Sequence, residues 1–317
     1  MKIAILTTNQ VDDDNRLVEV ARAKGHDAFL LDLRQFSIEL LPSNPEIYYQ
    51  NEVITNQFDI VIPRLNVSYT DFGINILQQF ICAGIYVSES PEALRLGRDK
   101  LKCLQYLLSK GLPFPATAIA YTPEYLETLV GHLKLPIVVK LIESTEGTGV
   151  FLAKTKKEVD NLCKTFSLAG VSYQIQEFIA EAAGQDVRAF VVGDRVVAAM
   201  QRESQDDDFR ANVSLGAHSA AVGLTQEEEE VVLRATQSIG VNIAGVDFVR
   251  SSRGPLLLEI NVSPDFTGKQ GLETVTDCNI AAAIIDYTLR EAKGFYREQT
   301  LTVALSRQEE ELLCADG

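Results

Sequence analysis

The sharpest chemical signal in this 317-residue chain is a carboxylate and a carboxamide two residues apart. In Leu257-Leu258-Glu259-Ile260-Asn261 both polar residues sit in an apolar run that reads as a strand, so Glu259 and Asn261 project from one face. Asp247 lies in the preceding apolar run, 244–249, and the turn 251–254 pairs that run with the strand over 256–262. A hard cation such as magnesium takes oxygen ligands, commonly one or two carboxylates with substrate phosphates and water. A hairpin with its polar residues toward solvent has the same spacing. Acids facing inward among Val, Ile and Leu, however, need a cation.

Three further groups stand upstream. Lys140 ends the apolar run Ile137–Leu141 and is followed by Glu143-Ser144-Thr145-Glu146-Gly147-Thr148-Gly149. There a lysine would meet phosphate, and Gly147 and Gly149 would let backbone N–H groups approach its oxygens. The loop is neither a Walker A sequence nor a GxGxxG fingerprint, and alone it reads first as a β-turn. Gln176-Glu177-Phe178-Ile179 mixes hydrogen-bonding and apolar groups at a strand end, as an adenine shelf or an ordinary strand terminus would. Arg188, Arg202 and Arg210, with Asn212 nearby, either balance local acids or grip an anion formed in phosphoryl transfer. No Cys–His arrangement and no GxSxG elbow offers a protein nucleophile.

The elements that must hold these residues alternate. Lys2–Thr7 reads as a strand, Asp12-Asp13-Asp14-Asn15 as a turn, 15–24 as a helix stopped by Gly25, and 28–33 as a strand. Strands over 58–63 and 86–88 flank a helix in which Ile74, Leu77 and Ile81 share a face, so residues 1–90 suggest a parallel doubly wound unit. Ser90-Pro91 starts a helix with Leu94, Leu101, Leu104 and Leu108 on one face, stopped at Gly111. Short strands over 116–120, Ile137–Leu141 and Val150–Ala153 alternate with helices beginning near Thr122 and Lys156, and 173–178 is a further strand. Gly193-Asp194 turns a hairpin between 186–192 and 195–201. Thr225 and Glu228 form a capping box, with Glu227–Glu230 read as a solvated face. A helix over 279–292 closes the fold, leaving 293–317 as a charged, aperiodic, loose tail.

Composition removes other answers. Lys plus Arg number 29 against 44 acids, a formal charge of −15, and the pI near 4.7 lacks the basic footprint of a nucleic-acid binder or a lipid-binding surface. The hydrophobic content of 46% fits a folded globular protein. No apolar stretch approaches the ~20 residues of a membrane span. Five cysteines without a CxxC pair and three scattered histidines suggest free thiols in a reducing cytoplasm, not zinc or a disulfide framework. The first residues lack the pattern of a signal peptide. Nearly half of the net charge lies between Glu181 and Glu230.

Taken in order, the segments MKIAIL, FDIVIPR, SPEALRLGRDKL, PIVVKLIESTEGTGV, QEFI, GQDVRAFVVGDRVVAAM, DFRAN and AGVDFVRSSRGPLLLEINVSP resemble the ATP-grasp superfamily, and within it the RimK-like amino-acid ligases. The resemblance covers about residues 1–292. It implies an α/β and α+β chain: a Rossmann-like pre-ATP-grasp domain over 1–90, an ATP-grasp central lobe over 91–172, and a C-terminal lobe with the metal site over 173–292. ATP would lie between the lobes, with Lys100 and Lys140 on its phosphates and the loop carrying Thr145, Gly147 and Gly149 closing over them. Glu177, Phe178 and Asp186 match adenine and ribose contacts, with Gln176 and Ile179 of the same QEFI segment also taken as cofactor-binding, and Arg210, Ala211 and Asn212 match a further nucleotide-contacting stretch. Asp247, Glu259 and Asn261 match ligands of two magnesium ions, with manganese an alternative.

The implied reaction is acyl-phosphate chemistry yielding ADP and phosphate, with Arg188 and Arg202 as catalytic residues stabilising the acyl phosphate and tetrahedral stages. The implied partners are an amino acid, by default L-glutamate, and a carboxylate acceptor: a peptide, a protein C-terminus or a small molecule. A homo-oligomer is also implied. The chain departs from the family pattern at Glu203-Ser204-Gln205-Asp206-Asp207-Asp208, which is basic in relatives, at Val213-Ser214-Leu215-Gly216-Ala217, at Asp265, and at Ser144 and Glu146. These departures unsettle the acceptor and admit a neutral or basic partner, or an ATP-binding regulator without ligation.

Overall fold

The computed structural model describes residues 1–42, 45–120, 125, 130–142, 149–206, 208–211, 213 and 216–315. Two compact units are present, Met1–Arg95 with Asn279–Gly317, and Leu96–Cys278.

The first unit is built on β1 (Lys2–Thr7), α1 (Asp12–Ala23), β2 (Asp27–Asp32), β3 (Phe36–Glu39), β4 (Glu46–Tyr49), β5 (Glu52–Val53), β6 (Ile60–Pro63), α2 (Thr70–Cys82) and β7 (Tyr86–Val87). A parallel sheet runs in the order β2-β1-β6-β7. Its central strands are buried on both faces, which is why Ile3–Leu6 and Ile60–Ile62 read as unbroken apolar runs rather than alternating ones.

Two expectations change here, and one sheet is added. Asp12-Asp13-Asp14 is the first turn of α1 rather than a turn before it, since carboxylates suit the positive end of a helix. In α2 the buried row is Ile74, Ile76, Leu77 and Phe80, while Ile81 is 39% exposed. The antiparallel sheet β3-β4-β5 has no counterpart in the sequence reading, because its strands span only two to four residues.

The helix expected over 90–111 is two helices, α3 (Pro91–Arg98) and α4 (Lys100–Ser109). Asp99 adopts an extended conformation and accepts from Lys102 N at 2.9 Å, so its side chain caps α4 and interrupts the run. Leu108, placed on the buried face by the sequence, is 62% exposed.

The second unit continues with β8 (Thr117–Ala118), β9 (Ile137–Leu141), β10 (Val150–Ala153), α5 (Lys156–Leu168) and β11 (Tyr173–Glu177), in a sheet ordered β10-β9-β11-β8. The helix start near Thr122 lies outside the described residues. A second, five-stranded sheet is ordered β14-β13-β12-β15-β16, from β12 (Gln185–Val192), β13 (Arg195–Glu203), β14 (His218–Ala221), β15 (Ile243–Ser251) and β16 (Gly254–Asn261). Gly193 turns the β12–β13 hairpin at φ +65°, as its position suggests. Helix α6 (Gln226–Ile239) carries the expected capping box on Thr225 and Glu228. Glu228 is nevertheless buried and paired with Arg250 at 2.6 Å, so the acidic run is not wholly a solvated face.

After the short α7 (Leu272–Thr276), helix α8 spans Ile280–Ala315. It does not stop at 292, and it clusters with the first unit. Phe295 and Tyr296 extend its contact row: Phe295 packs on Tyr86 with ring centroids 5.7 Å apart, and Tyr296 Oη donates to Asp59 O at 2.7 Å. The high charge density after residue 292 hides that row from a reading by composition.

Candidate active site

Both sheets of the second unit present residues to one pocket. From the smaller sheet, β9 contributes Val138 and Lys140, and β11 contributes Gln174, Gln176 and Glu177, followed by Phe178 and Ile179. The larger sheet contributes Gln185 and Asp186 from β12, Arg202 from β13, Asp247 and Val249 from β15, and Glu259 from β16, while Lys100 comes from α4. Strand alternation makes this wall, with the opposite faces of β9 and β11 packing Ile137, Val139, Tyr173 and Ile175 into an apolar core.

The base of the site is an ionic network. Arg188 donates Nε and Nη2 to the two oxygens of Asp247, each at 2.7 Å. Arg202 donates Nε and Nη2 to Asp186 at 2.6 Å, and Nη2 also reaches Asp247 Oδ2 at 2.9 Å. The cation that buried acids require is thus supplied from within the protein. Burial alone would raise the Asp247 carboxyl, but Arg188 and Arg202 overcome it and hold the group far below the usual carboxylate range. Burial likewise works against the Arg202 cation, and Asp247 and Asp186 more than restore it.

Asp247 and Glu259 face one another across the β15–β16 pair. Asn261 Nδ2 lies 3.4 Å from Asp247 Oδ2 and 3.4 Å from Glu259 Oε1, so the three expected metal ligands converge. Two carboxylates and a carboxamide, rotated to offer its oxygen, are the donor set a hard cation shared with phosphates would take. Among the described residues no group of three or more His, Cys, Asp or Glu is placed to hold a metal ion without other donors. Lys100 Nζ is 3.8 Å from Glu259 Oε2. The preceding helix α3 is brought close by Gly97, where an added Cβ would come within 2.2 Å of Val262 Cγ1, immediately after β16.

Lys140 is enclosed, and burial pushes its ammonium down to about 8, with Glu259 opposing the fall and Lys100 deepening it. At the far end, Glu177 Oε2 accepts from Ala116 N at 3.2 Å and from Arg253 Nη2 at 2.8 Å, so the residue before β8 and the β15–β16 turn both hold it. Phe178 meets Phe209 edge to face at 6.1 Å, and Arg210 lies over the Phe209 ring.

Of the residues expected from sequence, Lys100, Lys140, Gln176, Glu177, Phe178, Ile179, Asp186, Arg202, Arg210, Ala211, Asp247 and Glu259 all line this pocket. Arg188 and Asn261 join it through Asp247. Gly149 ends the described part of its loop at φ +76°, against the Leu141 side chain. Thr145, Gly147 and Asn212 lie outside the described residues. The sequence reading missed Gln174, Gln185 and Phe209. Gln174 is legible in principle, since it shares a strand face with Gln176 two residues on.

The paired sheets, with a lysine-lined pocket above a carboxylate–carboxamide cluster, define an ATP-grasp ligase, an enzyme that forms carbon–nitrogen bonds. Residues 1–94 match the RimK pre-ATP-grasp domain and residues 97–288 the RimK-like ATP-grasp domain. The chain belongs to the RimK family.

A probable alpha-L-glutamate ligase of Nitrosococcus oceani is 39% identical over 294 residues, 92% of this chain and 96% of the relative. One of Coxiella burnetii is 40% identical over 295 residues, 92% of this chain and 97% of that one. Among solved structures, the ATP-grasp ligase PsnB complexed with minimal precursor, Mg and ADP aligns with TM-score 0.71 at 19% identity, covering 92% of this chain and 98% of that chain. The macrocyclase MdnC bound with precursor peptide MdnA, from Microcystis aeruginosa, aligns with TM-score 0.69 at 18% identity, covering 92% and 100%. ATP-grasp ligases bind ATP with a divalent metal. No helix among the described residues is long and apolar enough to cross a membrane.

Proposed function

We propose that this chain joins L-glutamate, through its amine, to a carboxylate at the C-terminus of a peptide or protein or on a small-molecule acceptor, using ATP. The observation that carries the reading is the convergence of Lys140, the Gln176–Ile179 segment, Asp186 and the Asp247–Glu259 pair on one pocket. The names of the relatives near 40% identity support glutamate, and the precursor-bound ligases of like fold support a peptide acceptor.

In this reading Gln176–Ile179 holds the base, Asp186 the ribose, and Lys100 and Lys140 the phosphates. The γ-phosphoryl group passes to the acceptor carboxylate, releasing ADP. The amine then attacks the acyl phosphate, a proton leaves the nitrogen, and phosphate departs as the amide forms. Asp247, Glu259 and Asn261 would hold two magnesium ions, or manganese in their place, which when bound neutralise phosphate charge. Arg188 supplies positive charge beside the same oxygens. No protein nucleophile is needed. Burial pushes the thiols of Cys103 and Cys163 up to about 12 and about 11, which keeps both protonated.

The test is ADP release on adding single amino acids, with and without acceptor peptides. Release that requires glutamate and a peptide with a free C-terminal carboxylate is expected. ATP-dependent release with another amino acid and not with glutamate overturns the substrate. Mg-ATP binding with no release under any pairing would favour a regulator.

A further inference from the structure

Gln174 lies on the wall of the pocket beside Lys140. Its neighbours Tyr173 and Ile175 turn into the apolar core, so alternation turns Gln174 and Gln176 toward the site. Across the β9–β11 pair, Gln174 stands opposite Lys140, and Gln176 opposite Val138. The two glutamines differ in their partners. Gln176 donates Nε2 to Thr117 Oγ1 at 2.9 Å. Gln174 is only 3% exposed, and its Oε1 is buried with no hydrogen-bond partner among the described residues.

A buried carbonyl oxygen without a donor is costly and uncommon. Here the missing donor has a natural source in the ligand. Phosphate oxygens only accept, so a nucleoside triphosphate offers donors at the ribose hydroxyls and, in adenosine, at the exocyclic amino group. The ribose falls to Asp186, on the other sheet. Strand β11 runs directly into the segment assigned to the base. Lys140, the neighbour across the strand pair, is a donor but makes no hydrogen bond to that oxygen.

We propose that Gln174 is a base-selecting residue, whose carboxamide oxygen accepts a hydrogen bond from the exocyclic amino group of adenine. The inference rests on the nucleotide reading of the pocket given above. The selection it produces is against purines that present hydrogen or a carbonyl at that position. Adenine offers a donor there, whereas guanine offers a second acceptor, which would set oxygen against oxygen.

The experiment is calorimetric titration of the native protein, Gln174→Leu, Gln174→Met and Gln174→Glu with ADP and with purine riboside 5′-diphosphate, which lacks the amino group. The native protein should bind ADP about fivefold to tenfold more tightly than the analogue, the range of one neutral hydrogen bond. Leucine or methionine should bring that ratio near one by weakening ADP alone. Glutamate, which keeps an acceptor, should preserve it. Equal affinity of the native protein for the two nucleotides overturns the role of Gln174. So does a native-like ratio in either apolar variant, or a ratio lost equally in Gln174→Glu. Failure of the native protein to bind either nucleotide overturns the nucleotide reading itself.

Discussion

Arg202 Nη2 lies 2.9 Å from Asp247 Oδ2 while the same guanidinium clasps Asp186 at 2.6 Å. One buried cation therefore fixes both the carboxylate assigned to the ribose and the one assigned to the metal. With its side chain 3% exposed and its Nε and Nη2 engaged, Arg202 acts first as a positioning residue. Replacing it with methionine leaves Asp247 paired with Arg188 and takes from Asp186 the guanidinium that clasps it. Removal of one partner from a buried pair costs about 3–5 kcal/mol. We expect a loss of that size for Arg202→Met in urea unfolding, with partial recovery in Arg202→Lys, which keeps the charge but not the planar fork. A loss under about 1 kcal/mol would show that the network is not held by this guanidinium.

In the proposed reading, Lys140 ties nucleotide affinity to pH. Its ammonium is held down to about 8, so it is charged below that value and neutral above it. Phosphate binds the charged form. Affinity for ADP should therefore be flat toward pH 7 and weaken as pH rises through about 8, approaching tenfold per unit. Lys140→Arg, whose charge persists, should flatten the curve even where absolute affinity drops. A native curve that stays level to pH 9 would remove Lys140 from the phosphates.

How much of this was legible in the sequence differs by element. Strand β16 was, because Glu259 and Asn261 interrupt an apolar run at a spacing of two, and the parallel sheet was, because Ile3–Leu6 and Ile60–Ile62 are apolar on both faces. What sequence could not give is pairing across strands. Arg188 and Arg202 read as groups facing substrate, yet their contacts with Asp247 and Asp186 follow from the β12–β13 and β12–β15 registers, which join residues up to 59 positions apart. Asp99 hid the break between α3 and α4 for a different reason. A single capping side chain outweighs the leucine periodicity around it.

Glu259 is the cleaner test of the metal assignment. Asp247→Asn would take the carboxylate partner from Arg188 and leave Arg202 with Asp186 alone, so lost metal binding in that variant mixes charge imbalance with a missing ligand. Glu259 is more exposed, and its described contacts are weaker: Lys100 at 3.8 Å and Asn261 at 3.4 Å. We expect Glu259→Gln to melt close to the native protein and to bind Mn2+ at least about tenfold more weakly in the presence of ADP, read by electron paramagnetic resonance. Native-like Mn2+ affinity in that variant would place the metal elsewhere.

The acidic stretch after β13 looked, as sequence, like a surface hostile to an acidic acceptor. Two of its members have local work instead. Asp208 accepts from Arg210 Nη2 at 2.6 Å and from Arg210 N at 2.9 Å, while Asp206 Oδ1 accepts from Asp208 N at 3.1 Å and Ser204 Oγ at 2.8 Å. Asp208 thereby aims Arg210, which lines the candidate pocket, and Asp206 shapes the adjoining turn. The pair is about a quarter exposed on each side, so screening limits its worth to roughly 1 kcal/mol. Asp208→Asn should accordingly raise the KM for ATP several-fold and leave the KM for the peptide acceptor unchanged. The opposite split, with acceptor KM falling and ATP unaffected, would return the acidic run to the acceptor surface and with it the case for a neutral or basic partner.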